Sequence, residues 1–330
     1  MHFTEELLRK AQQRNKCIVL PEAEDDRTLQ AADRLTRDGI CRVVLTGDPG
    51  QIQASARKAG ADVSRCVILS PADETEAAPL AQELHLLRKN KGLTLEAARE
   101  LIKDPLYFAT MLLKVGRVDG YVAGATHTTA ENLRPVLQII KATPGLRTVS
   151  SFFLMVFPEA KWGHQGVLLY SDCGMVEQPS AEQLADIAIA SARTFRQLVG
   201  AEPRVAMLSY STKGSANSPD TRKVVKAVEL AREMAPEIVL DGEMQADAAL
   251  IPSIGERKCQ GSPVAGKANC LIFPDLDAGN IAYKLTERLG GAQALGPLVQ
   301  GMAKPAHDLS RGCSADDIVK VAAISAIMAD

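Results

Sequence analysis

Apolar runs of four to six residues recur along the chain, separated by longer stretches whose apolar positions fall at helical spacing. Residues 16–21 (Lys-Cys-Ile-Val-Leu-Pro) and 41–46 (Cys-Arg-Val-Val-Leu-Thr) resemble strands buried on both faces of a parallel sheet, and 66–69 and 120–124 follow suit. Residues 1–15 form an amphipathic helical pattern, 29–37 another, and a third follows Gly47-Asp48-Pro49. Residues 93–115 are helical apart from a break at Asp104-Pro105. Thr143-Pro144-Gly145 then interrupts the pattern, as a crossover between domains would. Beyond it, strands are expected at 149–157, 166–170, 204–209, 237–240 and 269–273, and helices at 181–198, 220–234, 276–289 and 315–328. This alternation predicts an α/β protein with mainly parallel sheets covered by helices. Ile187, Ala188 and Ala192 fall on the apolar side of one of these helices and are expected in its core.

Composition narrows the class. The chain has 330 residues, enough for about two domains. Lys and Arg number 38 against 40 Asp and Glu, so the net charge of −2 gives no basic field for nucleic acid. No apolar stretch approaches the roughly 20 residues a membrane span requires, and the first ten residues have no signal-peptide core. The seven cysteines are scattered with no C-x-x-C pair, a poor fit to a zinc ribbon or a disulfide framework. A cytoplasmic protein with no nucleic-acid or membrane partner is expected.

Candidate chemistry is densest in His307-Asp-Leu-Ser310-Arg311-Gly-Cys-Ser-Ala-Asp-Asp317-Ile318, a polar loop feeding an apolar helix. The unpaired N–H groups of a helix start suit an anion, and Arg311 adds a planar fork that matches phosphate oxygens. Ser314-Ala-Asp-Asp317 also has the spacing of a capping box, which gives Asp317 a structural reading beside a chemical one. Three further arginines lie near loop–helix junctions: Arg27 after the first strand, Arg88 in Arg88-Lys-Asn-Lys-Gly92, and Arg134 after Ala125-Thr-His-Thr128. As a set they could hold a polyphosphate ligand. Gly261-Ser-Pro-Val-Ala-Gly266-Lys267-Ala268 nearly spells a P-loop, but it ends in Ala and precedes its strand. His127 and Glu131 stand four apart without a third metal ligand, so a hydrogen-bonded or exposed histidine is expected. Neither a Rossmann fingerprint nor a nucleophile elbow is present.

Ser310-Arg-Gly-Cys-Ser-Ala-Asp-Asp-Ile318 resembles the C-terminal signature of phosphate acetyltransferases, and the resemblance runs the whole length of the chain. It includes Ala123-Gly-Ala-Thr-His-Thr128 with Asn132-Leu-Arg134, Ser209-Tyr-Ser-Thr-Lys-Gly-Ser215 and Asp241-Gly-Glu-Met-Gln-Ala-Asp-Ala248. It continues through Phe273-Pro-Asp-Leu-Asp-Ala-Gly-Asn280 and Arg288-Leu-Gly-Gly291, and the length matches the short, catalytic-only form. The resemblance implies reversible acyl transfer between acetyl phosphate and coenzyme A, giving acetyl-CoA and phosphate, with no bound cofactor and no metal. It implies two α/β domains of isocitrate dehydrogenase-like three-layer architecture, residues 1–145 with 298–330 and residues 146–297. The active-site cleft would lie between them, and the enzyme would be a homodimer.

Carried over by motif, Asp317 matches a proposed base for the CoA thiol, Ser310 a residue that orients it, and Arg311 one that polarises the carbonyl or holds phosphate. Arg88 and Arg134 match arginines that bind CoA, and Arg27 a further active-site arginine. Cys313 is a neighbour of the chemistry without a nucleophilic role. An ordinary thiol and an ordinary aspartate differ by about 4.6 pK units, roughly 6 kcal/mol against proton transfer. Asp317 would therefore need burial, an arginine-stabilised thiolate, or transfer concerted with attack. Phosphate propionyl- or butyryltransferase, and a non-catalytic acetyl-CoA-sensing module, are the alternatives.

Overall fold

The computed structural model describes residues 2–329, which divide into two compact units: 2–141 with 302–329, and 142–301. The first begins with α1 (His2–Arg14), β1 (Cys17–Leu20), α2 (Asp26–Arg37), β2 (Arg42–Thr46), α3 (Pro49–Ala59) and β3 (Val67–Leu69). It continues with α4 (Glu74–Arg88), α5 (Leu95–Ile102), α6 (Pro105–Lys114), β4 (Gly120–Ala123) and α7 (Thr129–Ile139).

The second unit holds β5 (Ser150–Val156), β6 (Val167–Ser171), α8 (Ala181–Val199), β7 (Arg204–Leu208), α9 (Pro219–Met234) and β8 (Val239–Met244). It closes with α10 (Ala246–Leu250), α11 (Pro252–Lys258), β9 (Cys270–Ile272), α12 (Leu276–Arg288) and β10 (Gln293–Gln300). The chain then returns to the first unit with β11 (Ala306–Asp308) and α13 (Ala315–Met328).

In the first unit five strands pair in the order β11-β4-β1-β2-β3, all parallel. Every residue of β1 and β4 is buried, as a strand covered on both faces requires. Helices α2 and α13 pack together, with α1 and α3 against them, while α4–α7 form another packed group. The strand order reverses direction between β1 and β4, the place where open α/β sheets bind ligands outside their strand C-termini.

The second sheet has the order β10-β5-β6-β9-β7-β8. Its β6-β9-β7-β8 portion is parallel, and β5 and β10 add an antiparallel edge. Ile187, Ala188 and Ala192 of α8 are fully buried.

Three features depart from the pattern-based expectation. Helices α4 and α7 replace stretches without an assigned element, because Pro79 and Pro135 lie inside them and interrupt the sequence signal. Arg88 and Arg134 consequently lie on helices, Arg88 at the last residue of α4 and Arg134 within α7. Residues 246–258 form the short α10 and α11, and β8 and β10 run longer than their apolar cores suggest. All seven cysteines are free and six are buried. Among the described residues no helix is long and apolar enough to cross a membrane, and no group of three or more His, Cys, Asp or Glu could hold a metal ion.

Candidate active site

Three loops meet at the C-terminal ends of β1, β4 and β11. The first carries Glu22 and leads into α2, whose first turn holds Arg27; the second runs from Gly124 to Thr128, and the third is Ser310-Arg-Gly-Cys-Ser314. Gly124 has φ +111°, and a Cβ there would stand 2.6 Å from the backbone N and O of Leu309 and 2.7 Å from Asp308 Oδ1. Only glycine permits so close an approach of the second loop to the third. The Leu309 N–H donates to Ala123 O at 2.7 Å, continuing the contact.

Glu22 organises the second loop. Its buried carboxylate accepts the N–H groups of Gly124 (2.9 Å) and Ala125 (2.7 Å) on Oε2. On Oε1 it accepts those of Thr126 (2.9 Å) and His127 (3.0 Å), the Thr126 hydroxyl (2.9 Å) and His127 Nδ1 (2.8 Å). Burial alone would raise the Glu22 carboxyl, but hydrogen bonds from His127 and Thr126 outweigh it and hold the group below its usual range.

Arg27 organises the third loop. Nη1 donates to the carbonyls of Arg311 (2.8 Å) and Cys313 (2.9 Å), Nη2 to Ala125 O (2.8 Å) and Asp25 Oδ2 (2.9 Å), and Nε to Asp25 Oδ1 (3.0 Å). All five guanidinium donors are therefore engaged within the protein. In this arrangement Arg27 ties the loops together, three of its donors taken by backbone carbonyls and two by the Asp25 carboxylate.

The signature residues are open by contrast. Ser310, Arg311 and Asp317 are exposed, while Cys313 beside them is buried. No described residue bonds the Arg311 guanidinium, and the Ser310 hydroxyl accepts the Gly312 N–H at 3.2 Å. Asp317 closes the capping box that its spacing suggests. Its Oδ2 accepts the Ser314 N–H (3.0 Å) and hydroxyl (2.8 Å), and its own N–H donates to Ser314 Oγ (3.2 Å).

Arg88 and Arg134 form a second group beside Tyr107 of α6, whose hydroxyl both arginines influence. One guanidinium nitrogen of Arg88 donates to Gln138 O at 3.2 Å, and no described residue bonds the Arg134 guanidinium. No hydrogen bond or ion pair among the described residues joins this pair to Ser310, Arg311 or Asp317. Behind the loops, Tyr121 Oη donates to Asn132 Oδ1 (2.6 Å), whose Nδ2 donates to Asp308 Oδ1 (2.7 Å). Burial raises the Asp308 carboxyl, against the hydrogen bonds of Asn132 and Thr129.

Glu22 and Asp308 escape a sequence reading that weighs arginines and signatures. The one available signal is an acidic residue at or just past the C-terminal end of a buried strand. A cavity of about 930 Å³ opens beside the second loop, lined among others by Glu22, Thr126, His127, Ala77, Arg99 and Lys103.

An acyl transferase of two α/β units is the class this arrangement fits, and comparison with known proteins fixes the family. Residues 2–326 match the family described as Phosphate acetyl/butaryl transferase. A phosphate acetyltransferase of Acetivibrio thermocellus is 53% identical over 329 residues, covering 100% of this chain and 98% of that one. Solved phosphotransacetylases of Staphylococcus aureus and Streptococcus pyogenes superpose with TM-scores of 0.92 and 0.92 at 40% and 40% identity. The first covers 98% of this chain and 98% of its own, and the second 99% and 97%. The chain belongs to the phosphate acetyl/butyryl transferase family of acyltransferases.

Proposed function

We propose that the chain catalyses reversible acetyl transfer between acetyl phosphate and coenzyme A, by direct attack of the CoA thiolate on the acetyl carbonyl in a ternary complex. The observation that carries this reading is the contrast between two arginines at one loop. Arg27 is saturated by three backbone carbonyls and the Asp25 carboxylate, whereas Arg311, on the loop that two of those carbonyls belong to, has every side-chain donor available. A fixed loop presenting an open guanidinium is the arrangement needed to hold a phosphoryl group and stabilise charge developing on a carbonyl oxygen.

Ser310, next to it, is the candidate for orienting the thiol. Arg134, exposed on the helix that the second loop begins, is with Arg88 the candidate contact for the phosphates of CoA. Phosphate is a good leaving group, so holding the two substrates in line supplies much of the acceleration without an enzyme nucleophile. The finer expectations travel with this reading: a cytoplasmic homodimer that uses CoA as substrate and no resident cofactor.

The test is a thioester-forming assay with CoA and acetyl phosphate, run beside Asp317→Asn. Turnover by the wild type supports acetyl transfer, and its absence sinks it. A loss in Asp317→Asn on the order of 10²–10⁴-fold, with CoA still bound, would make Asp317 the thiol base. A small loss would leave it as a cap. Relative rates on acetyl, propionyl and butyryl phosphate decide the acyl chain, for which one methylene is worth about 1–3 kcal/mol.

A further inference from the structure

Helix α7 and the signature loop carry the two halves of the proposed reaction. Arg134 lies on α7, and the carbonyl of Gln138, one turn further on, holds Arg88, so both candidate CoA arginines move with this helix. Ser310 and Arg311 follow the end of β11 by two and three residues. A thiol tethered through its distant phosphates reaches the acetyl carbon in line only if the spacing between helix and loop is fixed.

A buried polar bridge spans the two. Asn132, the fourth residue of α7, is fully buried, and its Nδ2 donates to Asp308 Oδ1 at 2.7 Å. Its Oδ1 accepts the Tyr121 hydroxyl of β4 at 2.6 Å, which fixes the way the amide points. Asp308, the last residue of β11, is buried as well, and Thr129 of α7 adds a further hydrogen bond to its carboxyl. The same Oδ1 is the atom 2.7 Å from a Cβ at Gly124, so the carboxyl is also wedged against the second loop. Two residues beyond Asn132 is about 200° around a helix, and Arg134 accordingly points outward and is exposed. An apolar pair would hold α7 on the sheet at less desolvation cost, but it would tolerate sliding, which a short hydrogen bond does not.

Resting on the acetyl-transfer reading above, we propose that Asp308 and Asn132 are positioning residues for this reaction. Their hydrogen bond sets the spacing between the α7 arginines that would hold CoA and the Ser310-Arg311 loop that would receive its thiol. Neither side chain touches the reacting atoms or exchanges a proton with them; the pair acts through Arg88, Arg134 and Arg311. Without the bond α7 shifts as a unit, so the CoA phosphates keep their arginines while the thiol arrives out of line. The signature is a fall in kcat with CoA affinity retained, the reverse of what losing a binding arginine gives.

The experiment is steady-state kinetics of the full chain with CoA and acetyl phosphate, with CoA affinity measured by calorimetry, for Asp308→Ala, Asp308→Asn and Arg134→Ala. Asp308→Ala is expected to lose kcat on the order of 10²-fold, as a misplacement of about 1 Å does, with CoA affinity unchanged. Asp308→Asn keeps an acceptor for Asn132 Nδ2 and is expected to hold near-wild-type kcat, which a proton-transferring carboxylate would not allow. Arg134→Ala is expected to weaken CoA binding. Amide exchange at Gly312 and Cys313 gives a readout that stability alone does not move: saturating CoA slows it in the wild type and not in Asp308→Ala.

Asp308→Ala with wild-type kcat overturns the proposal, as does a parallel fall in kcat and CoA affinity, or an Asp308→Asn enzyme as slow as Asp308→Ala. Should Asp308→Ala fail to fold, Asn132→Ser shortens the bridge from the other side, and its kcat and CoA affinity are judged in the same way. An active wild type whose CoA affinity is indifferent to Arg134→Ala removes this inference and leaves acetyl transfer standing. A wild type that forms no thioester removes the reading itself, and the inference with it.

Discussion

Glu22 shows what one buried carboxylate does when the backbone is arranged around it. Four consecutive N–H groups, a hydroxyl and an imidazole converge on two oxygens whose side chain is 2% exposed. An amide in its place offers one acceptor and turns an NH₂ group toward donors on the other side, leaving them unpaired. Glu22→Gln is therefore expected to destabilise the protein by about 2–4 kcal/mol, measurable by urea unfolding. The pH dependence follows from the direction of the shift. Because the folded carboxyl lies below its unfolded value, its contribution is complete above about pH 4.3 and fades as pH falls through the folded value. In Glu22→Gln that part of the acid limb flattens. A variant as stable as wild type would show that the loop is held by other means.

Elements are where the sequence was most and least legible. Helix α13 and its cap follow directly from Ser314-Ala-Asp-Asp317 before an apolar run, because a capping box is a local device. Helices α4 and α7 were not legible, since Pro79 and Pro135 sit where tertiary packing, not propensity, keeps the helix. The candidate site divides the same way. Arg311 and Ser310 are visible as a loop before a helix, but Arg27 looks identical to a ligand arginine until the carbonyls it holds are known. Those carbonyls lie 98 to 286 residues away, on the loops after β4 and β11. Arg27→Lys keeps the charge but replaces a five-donor fork with one nitrogen, which cannot span Asp25, Ala125, Arg311 and Cys313 together. The expected outcome is a fall in kcat on the order of 10²-fold from a displaced Arg311, with KM for CoA and acetyl phosphate retained. Faster amide exchange at Gly312 and Cys313 would accompany it. A raised KM with kcat intact would return Arg27 to the substrate.

At the scale of the whole molecule, each unit has its own sheet and its own buried core, so the two need not respond alike to acid. The first contains His307, fully buried in β11, where burial pushes the imidazole down to about 3. In the unfolded chain it would titrate near 6.5. Between those values the unfolded state binds a proton that the folded state refuses, so stability falls as pH drops through this window. A shift of this size corresponds to about 4–5 kcal/mol, a large share of the 5–15 kcal/mol typical of a domain. Asp308, raised by burial, works in the opposite direction, while Asp241 of the second unit is lowered and loses its contribution only in the carboxylate range. The first unit should therefore begin to unfold at milder acidity than the second. The single tryptophan, Trp162, lies in the second unit and reports on it alone. In an acid titration far-UV circular dichroism is expected to lose amplitude before Trp162 fluorescence changes, and His307→Gln should move the first transition to lower pH. Coincident transitions by both probes, unmoved by the substitution, would mean that His307 does not set the acid limit and that the two units unfold as one.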